Sequence, residues 1–158
     1  MDRLKSVHIE GFKSIRDATI DFGPINVLIG ANGSGKSNFI SLFRMLGYAT
    51  TGALQEFIGR AGGANALLHF GSHTTQQIRA QFEFETHAGI NRYTLQLAYA
   101  AGDTLIITDE QVQFSSRDRA GEGPSQSLGA GHRESRLQEE ADAGNKTASV
   151  AWHTMRRW

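Results

Sequence analysis

A glycine-rich segment between an apolar run and an amphipathic stretch limits most strongly what this chain can fold into. The run at 25–29, Ile-Asn-Val-Leu-Ile, is rich in β-branched residues and predicts a buried central strand. It leads directly into residues 30–37, Gly-Ala-Asn-Gly-Ser-Gly-Lys-Ser. Apolar side chains then recur at helical spacing, at Phe39, Leu42, Phe43 and Leu46. The order of strand, glycine-rich loop and helix predicts an α/β domain.

The spacing of Gly30, Gly35, Lys36 and Ser37 fits a phosphate-binding loop, or P-loop. Glycine adopts positive φ readily, so the backbone N–H groups of such a loop can turn toward phosphate oxygens. The positive end of the following helix dipole points at the same anion. Lys36 could then reach the β- and γ-phosphates, and the Ser37 hydroxyl could bind Mg²⁺. The alternative is an ordinary glycine-rich turn, which the flanking strand and helix disfavour.

Alternating apolar and polar side chains predict several strands outside this loop. Residues 4–10 and 18–22 alternate with the period of a half-buried strand. The same alternation returns at 78–84 and 93–99, and short turns separate these runs and the next one at 105–114. Short connections of this kind are typical of hairpins. The second half of the chain therefore predicts an antiparallel meander.

Composition divides the chain into three parts. Residues 1–114 are predicted to form one P-loop lobe, with a core at 1–47 and an antiparallel β subdomain at about 76–114. Gly, Ser, Arg and Glu dominate residues 115–147, which contain no Phe, Trp or Tyr, so we expect a flexible insertion there. Large apolar side chains return at 148–158, where we expect the start of a further helix or strand, apparently truncated.

The overall composition excludes several classes of protein. Sixteen basic and sixteen acidic residues give a formal net charge of zero, which removes the argument for nucleic-acid binding from a strongly basic domain. The chain has no cysteine, so disulfides and cysteine metal sites are excluded. No apolar run approaches the roughly 18 residues of a membrane span. We therefore expect a cytoplasmic protein with no membrane partner.

Beyond the loop itself, the amino-terminal residues resemble a known class. The residues that carry this resemblance are Lys5, Ile9, Gly11, Phe12, Lys13, Ser14, Phe22 and the stretch 26–38. Together they look like the amino-terminal lobe of the RecF/structural-maintenance-of-chromosomes (SMC) class of ABC-type ATPases. Within it, they are most similar to the bacterial predicted AAA/ABC ATPase group, which is related to the ATPase part of the overcoming-lysogenization-defect nucleases. The first 40 residues match specifically, residues 69–114 moderately and residues 115–148 hardly at all.

The resemblance implies a fold and an activity. The fold would be a P-loop NTPase of the ABC-ATPase type, with a mixed core sheet, an antiparallel β subdomain and the second catalytic lobe absent. The cofactors would be ATP and Mg²⁺, the complete protein a homodimer that hydrolyses ATP, and its role linked to DNA, in repair or phage defence. No Asn-Lys-x-Asp motif for guanine is present, which favours ATP.

The same resemblance implies residue roles around the loop. Lys13 and Ser14 would lie near the α- and γ-phosphates, although an ordinary surface lysine is the alternative for Lys13. Asn32 would face the γ-phosphate and Asn38 would lie beside Ser37, the Mg²⁺ ligand. The full set of nucleotide-binding residues would be Gly30, Ala31, Asn32, Gly33, Ser34, Gly35, Lys36, Ser37, Asn38, Lys13 and Ser14, with Lys36 also stabilising transition-state charge.

The catalytic carboxylates of such ATPases are harder to find in this sequence. The family needs an Asp-Glu pair after a parallel core strand, called Walker B, as well as a signature loop and a switch histidine. Asp109 and Glu110 follow an apolar run and are the best internal candidates, but the hairpin alternation around them favours an antiparallel arm. Residues 127–131 faintly resemble a signature loop, yet they follow the Asp-Glu pair, which is the wrong order.

Other polar residues are weaker candidates for metal binding or for sensing Mg²⁺. His69 and His73 have a metal-ligand spacing, but the intervening Phe-Gly-Ser favours a loop with unliganded histidines. The glutamine that senses Mg²⁺ in ABC ATPases could be Gln76, Gln77 or Gln81.

Because the sequence shows no convincing Walker B pair or signature loop, two alternatives to ATP hydrolysis stay open. They are a non-hydrolysing nucleotide-binding module that acts through a partner protein, and an inactive truncated fragment.

Overall fold

Six strands and five helices follow one another in the part of the chain that the computed structural model describes, residues 3–119 and 121–157. The strands are β1 (Arg3–Phe12), β2 (Ile15–Asp21), β3 (Gln77–Glu85), β4 (Gly89–Ala100), β5 (Thr104–Ser116) and β6 (Ser125–Gly129). The helices are α1 (Lys36–Thr50), α2 (Leu54–Arg60), α3 (Ala64–Leu67), α4 (Leu137–Asp142) and α5 (Lys146–Met155). No helix among these residues is long and apolar enough to cross a bilayer.

The strands form one sheet in the order β2-β1-β3-β4-β5-β6, and each pairing is antiparallel. Strand β1 lies directly beside β3, where Val7 is opposite Phe82 and both side chains are buried. The predicted core and the predicted β subdomain therefore share a single sheet. The meander predicted from β3 to β5 is present, and β6 continues it.

The helices cover one face of this sheet. Helix α1 buries the face that the sequence predicted, and Phe43 packs edge-on against Phe82 with 6.4 Å between ring centroids. The helix continues through Gly47 to Thr50. Helix α5 lies next to it, and the Trp152 indole N–H donates to the Thr50 carbonyl at 3.0 Å. These contacts fix the middle and the carboxyl end of α1 relative to the sheet and α5.

The prediction of a buried central strand at 25–29 is wrong. The run has no regular secondary structure, and its apolar side chains are largely exposed: Ile25 by 85%, Val27 by 73% and Ile29 by 89%. A β-branched run is buried only where a neighbouring strand satisfies its backbone and other side chains cover it. None of the described strands pairs with this run. The parallel pairing of a mixed sheet is therefore absent from the described residues, although the α/β class itself is confirmed.

The prediction of a flexible insertion at 115–147 also needs correction. Strand β6 pairs with β5, and the segment buries Leu128 and Leu137 in the core. The Glu134 carboxylate accepts the backbone N–H groups of Leu54 at 2.6 Å and of Gln55 at 3.0 Å. Two buried leucines and one capping carboxylate are enough to attach a polar segment to the sheet. The final segment forms most of α5, while Trp158 lies outside the described residues.

Candidate nucleotide-binding site

The glycine-rich loop curls over the amino end of α1. Gly33 and Gly35 have φ angles of 83° and 94°, in the left-handed region that glycine adopts without strain. The Ser34 N–H donates to the Ala31 carbonyl at 3.2 Å, and the Phe39 N–H donates to Gly35 at 2.9 Å, which starts the helix. The loop therefore turns directly into α1, as its spacing predicts.

The amino end of α1 is open to an anion. Its N-cap is Gly35, which supplies no side-chain hydrogen bond, and its first turn contains no acidic residue. The first backbone N–H groups of a helix have no partner within the helix. Over 15 residues, the aligned peptide dipoles place positive charge at this end. The helix therefore presents donors and partial positive charge beside the loop.

Lys36 points back into its own loop. Its ammonium group donates to the carbonyl of Gly30, to the Ala31 carbonyl at 2.7 Å and to the Ser34 hydroxyl at 3.2 Å. Residues 32–38 line an adjoining cavity of about 350 Å³. The positive charge thus lies beside a cavity whose walls include Ser37 and Asn38, the residues expected at the helix start.

The turn between β1 and β2 touches the same region. The Asn38 amide donates to the Ser14 hydroxyl at 2.7 Å, and the Lys13 ammonium donates to the Ser41 hydroxyl at 2.9 Å. Burial, together with the nearby guanidinium of Arg44, lowers the pKa of Lys13. The structure thus brings the β1–β2 turn against the first turns of α1.

Sequence reasoning missed Ser41 as the partner of Lys13. Ser41 follows Ser37 by four positions, which puts the two hydroxyls on one face of α1. Helical spacing was therefore the signal that could have identified it.

A second cavity, of about 440 Å³, lies between β2 and the loop and is lined by Ser14, Asp17 and Leu28 among others.

Asp109 and Glu110 lie away from the loop, in the interior of β5. Glu110 is fully buried and accepts hydrogen bonds from the Tyr93 hydroxyl at 2.7 Å, the Ser135 hydroxyl at 2.5 Å and the Arg136 N–H at 3.0 Å. Burial and the adjacent Glu110 raise the pKa of Tyr93 well above its ordinary value. Neither carboxylate lines the two cavities around the loop. Their surroundings are those of a structural network between antiparallel strands.

The remaining candidates are distributed over the fold. The His69 ring donates from Nδ1 to the Lys13 carbonyl at 2.7 Å, and the described residues contain no cluster of three potential metal ligands. Gln77 begins β3, whereas Gln81 lies within it opposite His8. The stretch compared with a signature loop overlaps β6, an edge strand.

Comparison with known proteins identifies the family. A family model described as an AAA domain matches residues 6–144. Structural maintenance of chromosomes protein 3 of Arabidopsis thaliana is 42% identical over 72 residues, which are 44% of this chain and 6% of that protein. Chromosome segregation protein sudA of Emericella nidulans is 45% identical over 73 residues, again 44% of this chain and 6% of that protein. The chain therefore spans only about 6% of the length of these relatives.

Among solved structures, the recombination mediator protein RecF with ATP aligns with a TM-score of 0.45 and 16% identity. The alignment covers 68% of this chain and 27% of RecF. The family match, in contrast, extends over most of the described sheet and its helices. This protein therefore belongs to the AAA domain family of ATP-binding ATPases, as an amino-terminal lobe of the RecF/SMC-like ABC type.

Proposed function

We propose that this chain binds ATP with Mg²⁺ through residues 30–38, as one lobe of a RecF/SMC-like ATPase. The observation that carries the proposal is the loop itself, in which glycines at positive φ turn into an uncapped 15-residue helix beside the Lys36 ammonium. Backbone donors, a helix dipole and a cation converge there, which is the chemistry that a polyphosphate requires.

The contacts of the loop suggest a role for each side chain. Lys36 would exchange the Gly30 and Ala31 carbonyls for oxygens of the β- and γ-phosphates. The Ser37 hydroxyl would bind Mg²⁺, which prefers oxygen ligands and is often held by few protein groups plus the phosphates. Asn38, bonded to Ser14, would hold the β1–β2 turn against the phosphates. Asn32 would approach the γ-phosphate from the loop.

We propose that hydrolysis requires groups from a further lobe. The described residues that line the cavity at 32–38 include no carboxylate to activate water. The exposed run at 25–29 offers unpaired backbone and apolar side chains beside the loop, which a strand of that lobe could cover. A non-hydrolysing switch is the second candidate, because it needs ATP binding at this loop but no catalytic carboxylate.

A role linked to DNA and a homodimeric state of the complete protein are further parts of this proposal. The role linked to DNA is supported by the relatives, which are named for chromosome maintenance and chromosome segregation. The nucleotide would then time the association of two copies, as the resemblance to ABC-type ATPases implies.

Binding of Mg·ATP to the purified chain tests the proposal. Lys36→Ala removes a charge-assisted contact that contributes about 2–3 kcal/mol, so the Kd should rise on the order of 30- to 150-fold. Lys5→Ala is the matched control, because Lys5 lies near the other end of β1 and forms only a surface ion pair with Glu83 at 3.4 Å. Equal Kd values for the two variants would contradict the assignment.

Phosphate release by the same samples distinguishes a lobe from a complete enzyme. Binding without turnover is the expected result for one lobe or a switch. Turnover that disappears in Lys36→Ala would instead mean that the chain holds its own water-activating group, against the need for a further lobe.

The exposed run can be tested separately. Ile29→Lys should leave the Tm of this chain nearly unchanged, because the side chain is 89% exposed. It should weaken association with the lobe that carries the Walker B carboxylates, measured by sedimentation of the mixture. Phe70→Lys, at another site that is 80% exposed, is the control. Equal association of both variants would show that the run is not an interface.

A further inference from the structure

We infer that a cavity between the β3–β4 turn and the start of α5 binds a small organic carboxylate with an apolar body. The cavity has a volume of about 260 Å³ and lies at the end of the sheet where Arg3 pairs with Glu85. The β1–β2 turn that contacts the loop lies at the opposite end of β1. The inference is therefore independent of the proposed nucleotide site.

Asn91 is the first observation that points to a ligand. It lies on the helix-covered face of β4, opposite Phe84 in β3 and Phe114 in β5, and only 3% of the residue is exposed. Its side-chain amide forms no hydrogen bond with any described residue. No fully buried side-chain N or O atom in the described chain lacks a partner, so the amide must open into the cavity that it lines.

A polar amide in an apolar layer costs free energy unless water or a ligand in the cavity bonds to it. A leucine of similar size would pack between two phenylalanines without this cost. The amide at Asn91 therefore offers a hydrogen-bond donor and an acceptor to a ligand that enters the cavity.

Positive charge at the cavity provides the second observation. Lys146 is exposed, begins α5 and forms no ion pair with a described residue. The Asn145 side chain caps the helix by accepting the Ala148 N–H at 3.1 Å. The preceding N–H groups of Lys146 and Thr147 have no described acceptor. A helix of 10 residues thus adds its positive end to the lysine beside the cavity.

The walls identify the class of ligand. Phe114 and Val150 supply apolar surface, so a bare inorganic anion would leave most of the wall unused. The volume suits one ring with a single substituent rather than a nucleotide. The turn at the mouth is preformed, because the Thr86 hydroxyl and N–H both donate to the Gly89 carbonyl, at 3.0 and 2.8 Å. A ring against Phe114 with its carboxylate toward Lys146 uses all of these features.

Benzoate is the probe, and its binding to the full chain can be followed by saturation-transfer NMR and by the shift in Tm. We expect a Kd on the order of 1 mM, a typical weak affinity for a ligand of this size. Benzyl alcohol, which keeps the ring but lacks the charge, and inorganic phosphate, which keeps only the charge, should each bind at least about tenfold more weakly. Phosphate binding as tight as benzoate binding would overturn the carboxylate assignment in favour of a simple anion site.

Two variants test the residues. Asn91→Leu and Lys146→Ala should each weaken benzoate binding about tenfold or more, whereas Arg157→Ala, an exposed cation just beyond α5, should not. Asn91→Leu should also raise the Tm of the free chain. If Asn91→Leu instead lowers the Tm, its loss of benzoate binding could reflect a disturbed fold. The Lys146→Ala result then tests the site, because the Lys146 side chain lies on the surface and its removal should leave the fold intact. Unchanged binding by Lys146→Ala, or no benzoate binding by the wild-type chain, would overturn the inference.

Discussion

Replacing Glu110 by glutamine tests whether this buried carboxylate is structural or catalytic. One of its oxygens accepts the hydroxyls of Tyr93 and Ser135, and the other accepts the Arg136 N–H. Glutamine keeps one oxygen but places an NH₂ group where an acceptor is needed, so at least one donor loses its partner. A hydrogen bond to a charged group contributes about 1.5–3 kcal/mol. For a chain of this size, Glu110→Gln should then lower the Tm by about 3–12 °C.

Thermal unfolding followed by circular dichroism measures this effect, and calorimetry with Mg·ATP should find the nucleotide Kd unchanged. Asp109→Asn is the matched control, because Asp109 is half-buried and bonds only to the neighbouring Gln111 among the described residues. Its free energy of unfolding should change by less than about 0.5 kcal/mol. If Glu110→Gln has the wild-type Tm but abolishes ATP turnover, the structural assignment of Glu110 is refuted.

Two further changes probe the loop and the polar face of the sheet. Gly35→Ala places a Cβ on a residue with a φ of 94° and within 3.0 Å of the Ser14 hydroxyl. The Tm should therefore fall by about 2–8 °C, and ATP binding should weaken. Gly47→Ala is the control, because Gly47 lies within α1 with open space around it, and this variant should raise the Tm. Burial alone would raise the pKa of Glu83, but the hydrogen bonds and charges of Arg92 and Lys5 outweigh it and hold that pKa below its ordinary value of 4.5. The stability that this ionised carboxylate contributes is present above pH 4.5 and is lost as the pH falls below it. In urea titrations, Glu83→Gln should therefore have a lower free energy of unfolding than the wild type, and this difference should shrink below about pH 4.5. A difference that does not change with pH would contradict this account.

The sequence predicts the loop and the sheet well where local chemistry decides the structure. Glycine spacing and the helical period place α1, and alternation places β3 and β4. The alternation in β5 also changes phase along the strand. Its buried apolar side chains are at odd positions at Leu105 and Ile107 but at an even position at Val112. The structure has a register shift at this point, which turns Glu110 rather than Asp109 into the core. A closer analysis of that phase change could have identified Glu110 as a buried group.

The exposure of the run at 25–29 could not be predicted from its sequence. Whether a strand is buried depends on the strands and helices beside it rather than on its own residues. The run has the composition of a central strand, yet the described sheet does not include it. A similar limit applied to the segment 115–147, which attaches through Leu128, Leu137 and Glu134 rather than through a long apolar pattern. In both cases the deciding contacts are far apart in sequence.

The position of Lys36 connects these two observations. Its ammonium group is held by the carbonyls of Gly30 and Ala31, the residues that directly follow the exposed run. In the proposed function, oxygens of ATP replace these internal acceptors of Lys36, so part of the binding free energy is used to reorganise the loop. A strand paired with residues 25–29 would fix the backbone up to Gly30 and reduce that cost, because the loop would then be ordered before the nucleotide arrives. Covering the run and binding ATP should therefore strengthen each other, so that a further lobe of the kind proposed would respond to the nucleotide.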